Sequence, residues 1–445
     1  MTSNKSPGLP PLFLLAMTDQ GYAAAKHLSA YGIPIVGFFP NNKGFEYFSR
    51  LPCQKHVLPA SNNDRMALLR KTAGDFDQKP VLMLTAESYF PFIYEHFDEI
   101  NQLFALEMPD ADTLHQMLDK NRFSAFAETY HLKIPKSTEV GLHLQSEEQL
   151  SEDLNYPLVI KPKYRTDRWN GRYHTKKAFL AHNRQEALRV CTELLQVIDW
   201  LVVQEFVPGP DTNVYFCLTY LTASGEALDT FCGQKIHQHP ILFGNTSSAL
   251  AADLPALKAE SLRILKTAKM SGFCSVEFKQ HAVTGDFYVI EPTVGRMDRQ
   301  QYVAMVSKHD MVLKAYCHLA RIPQLTPRKQ KENFLYVEES LQMKSYLDYH
   351  HYKSKEQGRI RHLLRTHKIR FMHLTLRDPL PSLLVLAGVL KHLLHYLLKG
   401  KTRYFEEDDL TRQLLQLNHH KAQQSGAAAA EKKEKVLTVR NRKEL

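Results

Sequence analysis

Hydrophobic and polar positions alternate in two regimes along this chain. In the first hundred residues, apolar runs at Leu12–Met17, Ile33–Phe39 and Val81–Leu84 are separated by a helix-like stretch, Tyr22 to Tyr31, and a turn at Gly32. This predicts a β-α-β arrangement growing into a small open parallel sheet with helices on its faces. Ligands of such sheets sit beyond the strand ends, here after Met17 and at Thr85-Ala86-Glu87. Gly21 alone falls far short of the G-x-G-x-x-G pattern, so a packing unit is expected there and not a dinucleotide site.

From about Asp112 the pattern becomes helical and then breaks into short strands. Leu158–Ile160, Leu201–Val207, Asn213–Leu221, Phe273–Lys279 and Phe287–Glu291 predict an α+β domain. The expected division is 1–111 as an α/β unit, 112–328 as the α+β domain, 329–410 as a basic, partly amphipathic helical extension, and 411–445 as a disordered tail.

The last two strands carry the first candidate chemistry. Thr284-Gly285-Asp286 reads as a turn joining them into a hairpin. With the turn centred on Thr284, Glu277 faces Glu291 and Ser275 faces Thr293, which puts two carboxylates about 5 Å apart on one face. Like charges in that position repel unless a cation lies between them, and magnesium suits carboxylates completed by phosphate oxygens and water. A shifted register, with both side chains in solvent, is the alternative reading. Upstream, Lys161 ends the apolar strand Leu158–Ile160, where a buried ammonium needs an anionic partner. Gln204-Glu205-Phe206-Val207-Pro208-Gly209 runs from a strand into a turn; it could offer backbone groups to an adenine edge, Glu205 to its amino group and Asp211 to ribose hydroxyls. Taken singly, each is also compatible with an ordinary strand end.

The order of these parts resembles the ATP-grasp superfamily over Leu12 to Pro323, with the early α/β unit in the place of the pre-ATP-grasp domain. Asp119-Lys120-Asn121-Arg122-Phe123 is similar to the opening of the nucleotide-binding part. The resemblance implies that Lys120 and Lys161 contact nucleotide phosphates, and that Glu205, Phe206 and Val207 line the adenine pocket with Asp211 at the ribose. Lys235 would reach the terminal phosphate. Glu277 and Glu291 would hold magnesium or manganese, with Thr293 where the family has an asparagine. Arg296 would face the transferred phosphoryl group or the carboxylate it activates. The loop Lys163 to Lys177 departs from the glycine-rich pattern, since it has only Gly171 and is crowded with Lys163, Arg165, Arg168, Arg172, Lys176 and Lys177.

The string Glu291-Pro292-Thr293-Val294-Gly295-Arg296 and the later Arg377-Asp378-Pro379-Leu380-Pro381 resemble bacterial predicted carboxylate-amine ligases linked to cell-surface polysaccharide or secondary biosynthetic pathways. The implied activity is ATP-dependent amide formation from a carboxylate and an amine through an acyl phosphate. A non-catalytic ATP-binding regulator or scaffold is the competing expectation. His237 and His239, near Lys235, are candidate proton carriers, though histidines beside Pro240 also fit a plain loop.

Composition changes the picture only at the C-terminal end. The net charge of the 445-residue chain is +10, and much of the excess follows Lys329. That region lacks the interleaved basic and aromatic pattern of a nucleic-acid module, so nucleic acid is not an expected partner. Leu383–Leu398 is nearly all apolar but is interrupted by Lys391, His392 and His395 and followed by Lys399, Lys401 and Arg403. A spanning helix needs about 20 uninterrupted apolar residues, so residues 383–403 suggest an interfacial helix on an anionic membrane or a helix packed on protein. The six cysteines form no C-x-x-C pair, which suggests neither a disulfide framework nor a zinc site. With no signal-like N-terminus, a cytoplasmic location is expected, with peripheral attachment to the inner membrane face if the helix binds lipid. A homo-oligomer stays open.

Overall fold

A computed structural model describes residues 8–399, apart from 143, 145–149, 151–152, 164–165, 174–177, 308, 327–333 and 353–355, and beyond them only 412 and 416. The first sheet contains β1 (Leu12–Leu15), β2 (Ile35–Phe39), β3 (Gln54–Val57) and β4 (Val81–Leu84), all parallel in the order β3-β2-β1-β4. Its central strands are buried on both faces, as parallel strands covered by helices must be. The helix Asp19–Leu28 follows β1 and ends in a short 3-10 turn before Gly32, whose φ of 77° needs a residue without a Cβ.

A small antiparallel sheet comes next, with β5 (Ser137–Gly141), β6 (Leu158–Pro162), β7 (Phe179–Ala181) and β8 (Trp200–Glu205) in the order β5-β8-β6-β7. It owns a separate core, built from Leu158, Ile160, Leu201 and Val203, the helix Arg184–Leu195 and the fully buried Trp169. The large sheet holds β9 (Val214–Leu221), β10 (Ala227–His239), β11 (Asn245–Ala252), β12 (Gly272–Gln280), β13 (Phe287–Val294), β14 (Phe334–Val337) and β15 (Lys368–Phe371), in the order β13-β12-β9-β10-β11-β14-β15. Two apolar clusters join it to the first sheet: Phe13, Val36 and Leu82 share one with Val276 and Val289, and Leu12, Ile35 and Val81 share the other with Phe216 and Leu218. The parallel sheet and the large sheet therefore stand as one packed body, and the small sheet stands against it with its own interior.

Three expectations change here. The basic segment after Pro323 is not only helical, because β14 and β15 extend the large sheet and the helix Glu339–His351 packs on β10 and β11. β10 was missed as a strand, and His237 and His239 lie on it and not in a loop. Its buried face carries Lys235, His237 and Gln238, so period-two hydrophobicity is absent from the strand at the sheet's centre. Cys217 and Cys232 are opposite each other on β9 and β10 and form a disulfide, against the expectation from spacing; strand pairing supplies the proximity that a sequence separation of 15 conceals. The expected tail 411–445 lies outside the described residues, save 412 and 416.

One ion-pair cluster fastens a helix to the large sheet. Asp229, at the start of β10, lies 2.6 Å from Lys314 Nζ and 2.9 Å from His309 Nδ1, beside the helix Met311–Leu319. Burial opposes ionisation of Asp229, but His309 and Lys314 together outweigh it and hold the carboxyl at about 2, below its ordinary 3.8. A carboxyl whose folded value is depressed stabilises the fold fully above its unfolded value and loses that contribution as pH falls through the folded one. The unfolding midpoint should therefore drop as pH falls from about 4 to about 2, by up to about 2 kcal/mol from this group. Asp229→Asn should remove that part of the pH dependence in thermal melts; an unchanged pH profile would refute the assignment.

Candidate functional site

A cleft of about 1210 Å³ separates the small sheet from the packed body. One wall is the hairpin β12–β13. Near its turn Phe278 faces Val289 and Lys279 faces Tyr288, one residue away from symmetric pairing about Thr284. Ile290 is the extra residue of a β-bulge, and beyond it Glu277 faces Glu291 and Ser275 faces Thr293. The pairing expected from sequence is present, but a bulge produces it.

Glu277, Glu291 and Thr293 all line the cleft. Lys235 projects from β10 with only 3% of its side chain exposed, and its Nζ is 2.7 Å from Glu277 Oε2. Gln300 approaches the same oxygen at 3.5 Å while donating to Thr246 at 2.8 Å. Glu291 opens to solvent within the cleft, yet protein rings it. Burial first, then the charges of Glu277 and Glu87, push its carboxyl up, against the pull of Lys235 and Lys120. The described cations thus leave Glu291 short of compensation, which is the condition in which a divalent cation is bound favourably.

The opposite wall is the small sheet. Lys161, on β6, donates to Gln204 Oε1 at 3.1 Å. Burial and then Lys120 push its ammonium down to about 8, while Glu291 pulls it the other way. Lys120 opens the helix Lys120–Thr129, whose N-terminus is capped by Asp119 through the amides of Asn121 and Arg122. The charge of Lys120 discourages that of Lys161 until an anion arrives. Phe206, Val207, Leu242, Val159 and Ala178 form the apolar part of the same cleft. Phe206 donates its amide to Pro157 at 3.0 Å. Glu205 also lines the cleft, but its carboxylate is taken by the amide and side chain of Asn155, both at 2.8 Å, and by the Lys136 amide at 3.3 Å. A direct grip of that carboxylate on an adenine amino group, as expected from the sequence, would require those bonds to be exchanged.

Asp211 requires a correction. It is fully buried and absent from the cleft wall, and its carboxylate accepts from Gln238 N (3.0 Å), Gln238 Nε2 (2.8 Å), Leu242 N (2.9 Å) and Tyr349 Oη (2.6 Å). It has no capacity left for ribose hydroxyls. A strand-end aspartate after Pro-Gly-Pro carries no sign in the sequence of whether it faces a cleft or an interior.

Arg296 reaches the cleft because Gly295 turns the chain with φ of 75°, and a Cβ there would sit 2.8 Å from Leu114 Cδ1 and 3.2 Å from the Phe90 ring. Its guanidinium donates to Glu87 Oε1 at 2.6 and 3.0 Å, tying β13 to the end of the parallel sheet. Three cleft residues were missed. Lys279 shares a strand face with Glu277, as period two requires, and lies 4.9 Å from the Phe206 ring centroid; burial pushes it down to about 8, against Asp211 and Glu277. Arg299 lies three residues after Arg296 and pairs with Asp19 at 2.6 Å. Gln300 is the third. Of the two histidines, His239 lines the cleft with Nδ1 3.0 Å from Asp348, whereas His237 is fully buried beside Gln342 and Tyr349. In the basic loop, Lys163 pairs with Glu139 at 2.6 Å and Arg168 donates to the Gln196 carbonyl, while Arg165, Lys176 and Lys177 lie outside the described residues.

No family model matches the chain. D-aspartate ligase of Enterococcus faecium is 22% identical over 256 residues, covering 53% of this chain and 59% of that enzyme. Among solved structures, the ADP complex of PurK, N5-carboxyaminoimidazole ribonucleotide synthetase, superposes with a TM-score of 0.50 at 15% identity, over 76% of this chain and 85% of that one. The biotin carboxylase domain of Hydrogenobacter thermophilus 2-oxoglutarate carboxylase, in complex with MgADP and bicarbonate, gives a TM-score of 0.51 at 14% identity, over 74% and 73%. The chain has the ATP-grasp fold. In this ATP-grasp chain, the parallel sheet is the pre-ATP-grasp unit, and the small and large antiparallel sheets are the two walls between which the cleft opens. The chain spans about three fifths of the length of the D-aspartate ligase it matches.

Two outcomes follow from the geometry. Asp211→Asn puts an NH2 donor in place of an oxygen that accepts two hydrogen bonds and should lower unfolding stability by about 3 kcal/mol in denaturant titrations. A variant of wild-type stability with weakened nucleotide binding would instead restore the ribose role. Gly295→Ala should cost about 1–3 kcal/mol through its positive φ and the contact with Leu114; wild-type unfolding in that variant would contradict the described turn.

Proposed function

We propose that the cleft binds magnesium ATP and that the chain is an ATP-dependent ligase joining a carboxylate to an amine. The observation that carries this reading is the Glu277–Glu291 pair on one wall, its Glu291 short of compensating charge, facing a cleft whose other wall presents Lys161, with Lys120 at the edge of the carboxylates' own body. An acid-only cleft would suit a metal alone, and a base-only cleft an anion alone. Facing sets of both signs, beside an apolar recess at Phe206 and Leu242, suit a metal-bound polyphosphate attached to a flat heterocycle. The ATP-grasp fold and the similarity to D-aspartate ligase supply the reaction class.

In the proposed reaction, a carboxylate oxygen of the substrate attacks the γ-phosphorus, ADP leaves, and an acyl phosphate forms. An amine then attacks the acyl carbon; inorganic phosphate leaves with the electron pair of the broken bond, and the amine loses its proton. Glu277, Glu291 and Thr293 are the proposed holders of magnesium or manganese, which when bound offsets charge on phosphate oxygens. Lys235, fixed by Glu277, is aimed at the terminal phosphate, and Lys161 and Lys120 at the others. Their contribution is electrostatic and positional, which is most of what phosphoryl transfer asks of a protein.

Substrate sits, in this proposal, toward Arg296 and Arg299. Both guanidiniums are paired with carboxylates of the parallel-sheet unit, Glu87 and Asp19. A substrate carboxylate can displace either, since a bidentate arginine–carboxylate pair exchanges like for like. Arg296, which lines the same cleft as Glu277 and Glu291, is the candidate for the activated carboxylate.

Glu291→Gln tests the assignment through two readouts. ATP-dependent phosphate release with candidate acids and amines should fall by at least about 10²-fold. In EDTA the thermal midpoint should equal or exceed that of the parent, because an ionised Glu291 is unfavourable in the folded chain without a cation. Undiminished turnover in this variant would overturn the metal assignment, and tight ATP binding by the parent without turnover across a broad panel would favour a nucleotide-binding regulator.

A further inference from the structure

The helix Pro379–Lys399 is inverted with respect to a surface helix. Its protein-facing side, against the helix Glu339–His351 and the turn Phe45–Phe48, is narrow and carries the buried Pro381, Ser382, Val385 and Tyr396. Leu383, Leu386, Leu390, Leu394 and Leu397 fall within about 80° of one another at 100° per residue, and all five are exposed. Over its 21 residues, about 30 Å, the solvent side is a continuous leucine stripe. Leu376, just before the helix, is 98% exposed. A contiguous apolar face of that extent marks a site of association.

Charge decides among occupants. Arg361, Arg365, Lys368, Arg370, Arg377 and Lys391 are all exposed in the same stretch of chain. The single acid between Arg359 and Lys399, Asp378, is buried and accepts from Ser49 Oγ at 2.6 Å and from the Arg50 amide at 3.3 Å. Arg377 precedes the stripe and Lys391 flanks it, and among the described residues from Arg359 onward no acid is exposed, which fits a surface that is apolar within and anionic at its rim. A second copy of this chain would bring the same cations together. The helix is long and apolar enough to cross a membrane by length and composition. Yet Lys391 and His395 lie off the stripe on one flank, and His392 lies with Val385 on the side occupied by the protein, so lying in the plane satisfies both sets of groups.

We propose that the leucine stripe of the helix Pro379–Lys399 docks in the plane of an anionic phospholipid surface, with Arg377 and Lys391 at the level of the headgroups. This docking is independent of the ligase reading, because no residue of the stripe lines the cleft.

The full chain should co-sediment with vesicles of phosphatidylcholine containing phosphatidylglycerol and at least about tenfold less with phosphatidylcholine alone, and rising salt should weaken the binding. The double substitution Leu390→Glu and Leu394→Glu, both at exposed positions, should reduce binding to the anionic vesicles at least tenfold with an unchanged thermal midpoint. Absence of binding, or equal binding to both vesicle types, overturns the proposal. So does a dimer in light scattering that the double variant abolishes without any vesicle binding, which would make the stripe an interface between copies. Resistance of the membrane-bound chain to alkaline carbonate extraction would overturn it in favour of a spanning helix.

Discussion

The contact between Lys235 and Glu277 organises the rest of the site. An ammonium with 3% of its surface exposed is tolerated because a carboxylate lies 2.7 Å away. That carboxylate belongs to a neighbouring strand pair in the same sheet, β9 separating β10 from β12, so the ion pair crosses one strand. Lys235, held by Glu277, and Lys120 also attract Glu291, but burial and the charges of Glu277 and Glu87 outweigh them. The sheet therefore stores a charge arrangement that is satisfied on one side and open on the other. The open side is the cleft.

The opposing wall has the mirrored problem. Lys161 is half-buried and donates to a neutral amide, and the charge of Lys120 bears on it as well. Glu291 and Lys161 thus face each other from bodies with separate cores. A rigid single core would have let the signs neutralise one another directly. Separate cores keep them apart, which leaves room for a ligand carrying charges of both kinds.

Much of this was legible in the sequence, and the reasons differ by residue. Glu277 and Glu291 were legible because alternation fixes a strand face and a turn fixes register, although the bulge at Ile290 compensated for a turn centred one residue away. Lys161 was legible as a charge ending an apolar run. Lys279 obeyed the same alternation and was passed over. β10 was hidden because its middle carries Lys235, His237 and Gln238 inward, so the strand that contributes most to the site looks least like a strand. Asp211 was misread because a local Pro-Gly-Pro context says nothing about Tyr349, 138 positions away, whose hydroxyl completes its coordination.

That last bond shows what the C-terminal segment does for the cleft. Tyr349 and Asp348 sit on the helix Glu339–His351; one donates to Asp211 and the other pairs with His239. Asp211 in turn holds the amides of Gln238 and Leu242, which border the apolar recess. The leucine-striped helix Pro379–Lys399 packs on the same Glu339–His351 helix. A chain of direct contacts therefore runs from the exposed stripe, through one helix, to the backbone that shapes the recess. Contact alone does not make coupling: energy passes between the two ends only if the intermediate helix has two arrangements that each end prefers differently. The buried, four-bonded Asp211 argues for one arrangement, since shifting the helix would strand a carboxylate that burial already disfavours. The helix is best understood as a rigid strut that gives the cleft and the stripe a fixed mutual orientation, so that a surface docked on one sets the direction in which the other opens.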